Sequence, residues 1–405
     1  MRYLTENDVH EYIRGICFKT GPPGSVGAET EWLITDPTRP EEPVALDLVS
    51  CLVDQAGPPP NGSAVSYEPG GQLELSSPPL NGPASAHAAL AADIAHIRKH
   101  LDAAGLCLEG RGIDRFRPPV RRLTVPRYAA MERFFDLGGG RGGRTMMCST
   151  ASLQVCLDIG ADAADAARRW RLAHRLGPLF VAAFANSAVF RGRPTGWRST
   201  RWAMWDAIDH TRTRPARPPG SDDPAGAWAG YALDAGVMAI RRDGVPWEVA
   251  PGMSFREWLG GGHHGRPTHD DLVFHLSTLF PPVRPRGWLE LRMIDALPLA
   301  WWPVPMAVAA ALFDDPAASD AAEAAADRLW SGADPGRGEW AAAARDALSD
   351  PGLAAAARTC FEEASAALRR MDAGELALLV DSYRENFIER GRCPADTEPT
   401  QEVPA

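Results

Sequence analysis

Residues 150–159 read TASLQVCLDI. Ala151, Leu153, Val155, Leu157 and Ile159 alternate with Thr150, Ser152, Gln154, Cys156 and Asp158. Successive side chains of a strand point to opposite faces, so this period of two predicts one face on a core and one face toward something polar. Three further stretches repeat the pattern. Ser25 to Thr35 carries Glu29 and Glu31. Tyr67 to Ser77 sets Leu73 and Leu75 against Gln72, Glu74 and Ser76. Trp288 to Ile294 sets Leu289, Leu291 and Met293 against Glu290 and Arg292. Helical patterns fill the intervals: residues 4–17 with Thr5 as N-cap, 83–104, 162–187, and several alanine-rich segments from about 305 to 390.

The strands come in ones and twos without regular βαβ spacing. That predicts an α+β fold with a mainly antiparallel sheet, helices packed on one face and a polar, site-lining surface on the other. No repeat or low-complexity linker divides the chain. One domain is expected over residues 1–390, helix-rich from about 305, with 391–405 as a disordered tail.

Composition narrows the function. The 405 residues carry a net charge of −10, which argues against a general nucleic-acid role, because phosphate binding wants a positive surface. No apolar run is long enough for a membrane span, and the N-terminus MRYLTENDVHEY lacks the apolar core of a signal peptide, so a cytoplasmic protein is expected. The seven cysteines include no CxxC pair, which favours reduced thiols over disulfides or a zinc ribbon.

The polar faces hold the chemistry. Glu29 and Glu31, two apart on one strand, project to the same side about 7 Å apart. Such a pair fits either a solvated edge or a face that holds a hard cation such as Mg²⁺. Glu74 sits in mid-strand, where β propensity disfavours it. Arg292 beside Glu290 fits either a cross-strand ion pair or a carboxylate clamp next to a metal ligand. The loop Gly138-Gly139-Gly140-Arg141-Gly142-Gly143-Arg144 lacks the GK[ST] ending of a P-loop, but its backbone N–H groups, Arg141 and Arg144 suit a phosphate or a mobile lid. Seven arginines lie between residues 191 and 217, a local positive field suited to a triphosphate or an α-carboxylate. His263-His264 has no spaced third ligand for zinc, and Asp270-Asp271 reads as a helix N-terminus.

The segments YEPGGQLELSSPPL (67–80), RTMMCSTASLQVCLD (144–158), ANSAVFRGRPTGWRSTRWAMWDAIDHTRT (185–213) and LELRMIDALP (289–298) follow one another in an order that resembles the plant-type glutamate–cysteine ligases. The wording MMCSTASLQV is most similar to the actinobacterial branch that makes γ-glutamylcysteine for ergothioneine synthesis. The resemblance implies a glutamine-synthetase-like catalytic fold. It also implies that ATP phosphorylates the γ-carboxylate of glutamate and that the amine of cysteine displaces the phosphate. It carries Mg²⁺ ligands onto Glu29, Glu31, Glu74 and Glu290, and an ATP contact onto Glu290, with Arg141 and Arg144 as further nucleotide contacts. Arg292 and Arg201 become candidates for holding a carboxylate or the acyl phosphate. Gln154 and Asn186 become candidates for orienting polar substrate groups, and Glu74 counts among the catalytic residues.

Two positions depart from the family pattern. Its Asn-Ser-Pro is Asn186-Ser187-Ala188 here, and a strand position often filled by His or Asp is at or beside Cys156. A ligase with another amine acceptor, an amino-acid or nucleotide sensor on the same fold, and a metallohydrolase are the rival readings.

Overall fold

A computed structural model describes residues 3–138, 142–217 and 222–397. Its main sheet is built from β1 (Ser25–Thr35), β2 (Ala64–Tyr67), β3 (Leu73–Ser76), β4 (Leu80–Asn81), β5 (Cys107–Glu109) and β6 (Ser152–Asp158). After a small hairpin of β7 (Val189–Phe190) and β8 (Arg193–Pro194), the sheet is completed by β9 (Val283–Pro285) and β10 (Trp288–Asp295). The order is β2-β3-β1-β6-β10-β9, with β4 and β5 also on β1, and every pairing is antiparallel. The expected α+β architecture is thus present.

The alternation in residues 150–159 has the consequence expected of it. Leu153, Val155 and Leu157 are buried on one face, together with Trp32, Leu73, Leu75, Leu289 and Leu291 from the neighbouring strands. Helices Gly82–Ala103, Ala163–Ala183 and Pro303–Asp314 pack against these strands. One apolar cluster runs from Leu4 to Ala395 and includes the C-terminal helices. The polar face is roofed by the shorter helices Pro126–Leu137, Gly143–Ser149 and Thr200–Asp206, whose side chains meet the glutamates across a cavity.

Two local features aim residues at that cavity. The turn after β2 brings Gly70 against the backbone of Cys148, where a Cβ would lie 2.1 Å from its carbonyl oxygen, and Gly71 has φ +89°. Only glycines fit both positions. A bulge in β10 inserts one residue between the pairs Leu291–Val155 and Ile294–Leu153. Past the bulge the alternation reverses, and Asp295 faces the same side as its partner Ser152.

The expected tail needs correcting. Pro394–Thr397 forms a short helix, Cys393 and Ala395 are buried, and the Ala395 N–H donates to the Ala185 carbonyl at 2.9 Å. Burial of small apolar side chains anchors the segment to 397; residues 398–405 lie outside the described residues. Among the described residues no helix is long and apolar enough to cross a membrane. All seven cysteines are free.

Candidate active site

The register lines up the polar faces. Glu31 pairs with Glu74, which pairs with Ser66; Glu29 pairs with Gln154; Glu290 pairs with Cys156. Glu29, Glu31, Glu74, Gln154, Arg201 and Arg292 consequently line one cavity of about 200 Å³. Glu68, from the turn after β2, joins them.

The carboxylates form two groups. Glu31, Glu68 and Glu74 bring oxygens within 4.8 Å of one another, and an oxygen each of Glu29 and Glu290 lies equally close to the Cys156 Sγ. The hydrogen bonds to Glu31 and Glu74 come from neutral donors. Ser152 Oγ and Gln154 Nε2 donate to Glu31 at 2.8 and 3.2 Å, and Ser66 Oγ donates to Glu74 at 2.6 Å. Burial, then the charges of Glu31 and Glu74, hold the Glu68 carboxyl well above its usual range. Burial, then Glu290 and Glu74, push Glu29 up to about 7. Glu31, Glu68 and Glu74 form an all-oxygen donor set suited to a hard divalent cation, and Mg²⁺ fits it; the second group offers two carboxylates beside a thiol whose pKa burial raises.

Glu290 is different. Burial alone would raise its pKa, but Arg284 at 2.6 Å and Arg292 at 3.0 Å outweigh burial and bring it down to about 2. Its Oε1 makes no hydrogen bond and lies 3.5 Å from Arg286. Arg292 also donates to Gln154 Oε1, and Arg201 Nη2 donates to the Arg292 carbonyl at 2.8 Å. Gln154 therefore couples the arginine end of the cavity to Glu31.

Glu29→Gln tests the electrostatics. The carboxyl titrates near 7 folded, against an ordinary value of 4.5. Between these values the folded state holds more protons than the unfolded state, so the wild-type group loses stabilising effect as pH rises. In metal-free buffer, the variant's melting temperature relative to wild type should climb between pH 4.5 and 7 and then level off. A flat difference from pH 4 to 8 would show that Glu29 does not feel its neighbours.

Three expectations change. Both amide N–H groups of Asn186 are taken by the Gly110 and Ala296 carbonyls, at 3.0 and 2.8 Å, so this residue ties loops together beneath the cavity. Arg144 lies outside the cavity lining, bound by Asp136 at 2.7 Å and Glu132 at 3.5 Å, and these two acids already satisfy its charge. Arg141 falls outside the described residues. The 191–217 arginines do not form one positive field either: Arg212 pairs with Asp209, Arg198 with Asp396 and Arg217 with Asp334, while Arg201 reaches the cavity. Glu68, Arg127, Tyr128 and Asp295 are additions. Glu68 stood inside the 67–80 motif, which was the signal for it.

A sheet of paired glutamates facing arginines across a roofed cavity is the arrangement expected of a carboxylate–amine ligase. The model of glutamate-cysteine ligase family 2 matches residues 25–397, a span that contains every strand of the sheet. The chain belongs to this family. Glutamate–cysteine ligase EgtA of Mycobacterium tuberculosis is 40% identical over 392 residues, covering 95% of this chain and 88% of the relative. The enzyme of the same name from Mycolicibacterium smegmatis is 41% identical over 404 residues, covering 98% and 91%. Among solved structures, a glutamate–cysteine ligase of Francisella tularensis in complex with AMP matches with a TM-score of 0.54 at 13% identity, over 93% of this chain and 84% of that one. That likeness speaks for the fold.

Proposed function

We infer that this chain joins the γ-carboxylate of L-glutamate to the amine of L-cysteine at the expense of ATP, giving γ-glutamylcysteine, ADP and phosphate. A γ-carboxylate oxygen attacks the terminal phosphorus and ADP leaves. The cysteine amine then attacks the acyl carbon, phosphate departs, and the amine gives up a proton. The observation that carries this reading is the convergence of Glu29, Glu31, Glu68 and Glu74 with Arg201 and Arg292 on one cavity. The likeness to the mycobacterial glutamate–cysteine ligases EgtA supports cysteine as acceptor, and the resemblance of the 144–158 motif to the actinobacterial branch supports ergothioneine synthesis as the destination of the product.

Glu31, Glu68 and Glu74 would hold one Mg²⁺, and Glu29 with Glu290 a second. Bound there, Mg²⁺ neutralises phosphate charge as it develops in phosphoryl transfer. The protein's own groups do the positioning. Arg292 and Arg201 hold the carboxylate end of glutamate or the acyl phosphate, their guanidiniums fixed by Gln154, Glu290 and the Arg292 carbonyl. Because these contacts are made before substrate arrives, little reorganisation is needed as charge builds. The roof of Tyr128, Met131 and Phe280 limits water at the acyl carbon.

The test is ADP release with glutamate fixed and each amino acid offered in turn as acceptor. Turnover that depends on cysteine is expected. Turnover with another acceptor instead would reassign the amine, and no ATP turnover with any acceptor would sink the ligase reading.

A further inference from the structure

The four arginines that line the cavity differ in one respect. Arg284 and Arg292 pair with Glu290, and Arg201 lies 3.9 Å from Asp295. Arg127, in the first turn of helix Pro126–Leu137, has only neutral hydrogen-bond partners. Its Nη1 donates to Ser277 Oγ and its Nη2 to the Ser277 carbonyl, each at 2.9 Å, and the guanidinium lies 5.5 Å from the Phe274 ring. Among the described residues no carboxylate lies within ion-pair distance of it. A guanidinium has five N–H donors, so Ser277 leaves three of them unused while holding the group in place. Burial lowers the Arg127 pKa, the mark of a cation short of water. A partly desolvated cation with spare donors and no counter-ion is a site prepared for an anion.

We propose that Arg127 binds the α-carboxylate of the acceptor amino acid. The assignment rests on the ligase reading, in which two α-amino acids meet in one cavity and each brings an α-carboxylate. Arg292 on β10 and Arg201 on helix Thr200–Asp206, joined through the Arg292 carbonyl at 2.8 Å, serve the donor. Arg127 comes from a different helix, Pro126–Leu137, and the charge of Glu68 is felt by both Arg292 and Arg127. In the ligase reading the Glu31–Glu68–Glu74 cluster thus has the Arg292–Arg201 pair for the donor and Arg127, from helix Pro126–Leu137, for the acceptor. Met131, Met146 and Met147 line the same cavity, and polarisable thioethers suit a short thiol side chain.

The same spare donors would also suit a nucleotide phosphate, so the test separates the two anions. Initial rates are measured for wild type, Arg127→Gln and Arg127→Lys with cysteine and with cysteamine, which keeps the amine and thiol but lacks the carboxylate. Wild type should prefer cysteine strongly. In Arg127→Gln the ratio of kcat/KM for cysteine over cysteamine should fall by at least about tenfold, with Arg127→Lys in between, because an ammonium keeps charge but not the fork. Equal losses on both acceptors, or a raised KM for ATP with the ratio intact, would overturn the assignment while leaving the ligase reading in place. A wild-type protein without cysteine-dependent ADP release would take both down.

Discussion

Glu74→Gln should lower ATP turnover by on the order of 10²–10³-fold while leaving the metal-free protein as stable as wild type or more so. The two halves of this expectation have one cause. Glu74 is one of three carboxylates whose oxygens converge within 4.8 Å. Its charge helps raise the pKa of Glu31 and of Glu68, in each case after burial. Removing it relieves repulsion when no cation is present, and the amide oxygen can still accept from Ser66, which donates to Glu74 at 2.6 Å. With Mg²⁺ present the balance inverts, since the ion loses an anionic ligand. The melting temperature of wild type should therefore rise on adding Mg²⁺, and that of the variant should rise much less. Near-wild-type turnover would remove Glu74 from the site. An undiminished Mg²⁺-induced rise would remove it from the metal cluster.

How far the site was legible follows from what periodicity can report. Alternation identifies a face, and it correctly put Glu29, Glu31, Glu74, Gln154, Glu290 and Arg292 on polar faces of strands that register brings together. It has no access to turns. Glu68 enters the cluster because the Gln72 carbonyl accepts its N–H at 2.9 Å and its own carbonyl accepts from Gly71 at 2.7 Å, folding the chain back at Pro69-Gly70. Alternation also fails at a bulge. Counting on from Leu289, Leu291 and Met293 assigns Asp295 to the core face, and the extra residue in β10 puts it on the other. Arg127 follows a proline at a helix start, a position with no periodic signal. The arginines of 191–217 were countable, but a count does not reveal which carboxylate each one meets. Arg212, wholly buried, is satisfied by Asp209 and by the carbonyls of Thr278 and Gly236, and so contributes packing rather than an open field. The family motifs were specific about order and identity, yet they mix site residues with scaffold: Asn186 and Arg201 share one motif and have different duties.

Asp295→Ala should be the most destabilising single change near the site, by about 3–5 kcal/mol. The carboxylate is buried and serves as a hub. It accepts from the Asn186 N–H at 2.9 Å, Ser187 Oγ at 2.6 Å and Ser199 Oγ at 2.9 Å, and lies 3.9 Å from Arg201. Alanine would leave three donors and a buried guanidinium without their acceptor, and an unmade buried hydrogen bond costs more than a made one contributes. Asp295→Asn should cost less. Burial raises the Asp295 pKa despite Arg201 and the three donors, so the ionised form is not at its ease there, and a neutral amide relieves that cost while keeping one acceptor oxygen. The order wild type, Asn, Ala should appear in the midpoints of urea unfolding, at unchanged slope. Because Arg201 would lose the negative charge 3.9 Å away while keeping its bond to the Arg292 carbonyl, KM for glutamate should rise in Asp295→Asn more than kcat falls. An alanine variant that unfolds at the wild-type midpoint would show that the Asn186–Ser187 and Ser199–Arg201 segments are held by packing alone, and that the bulge in β10 has no part in holding Arg201.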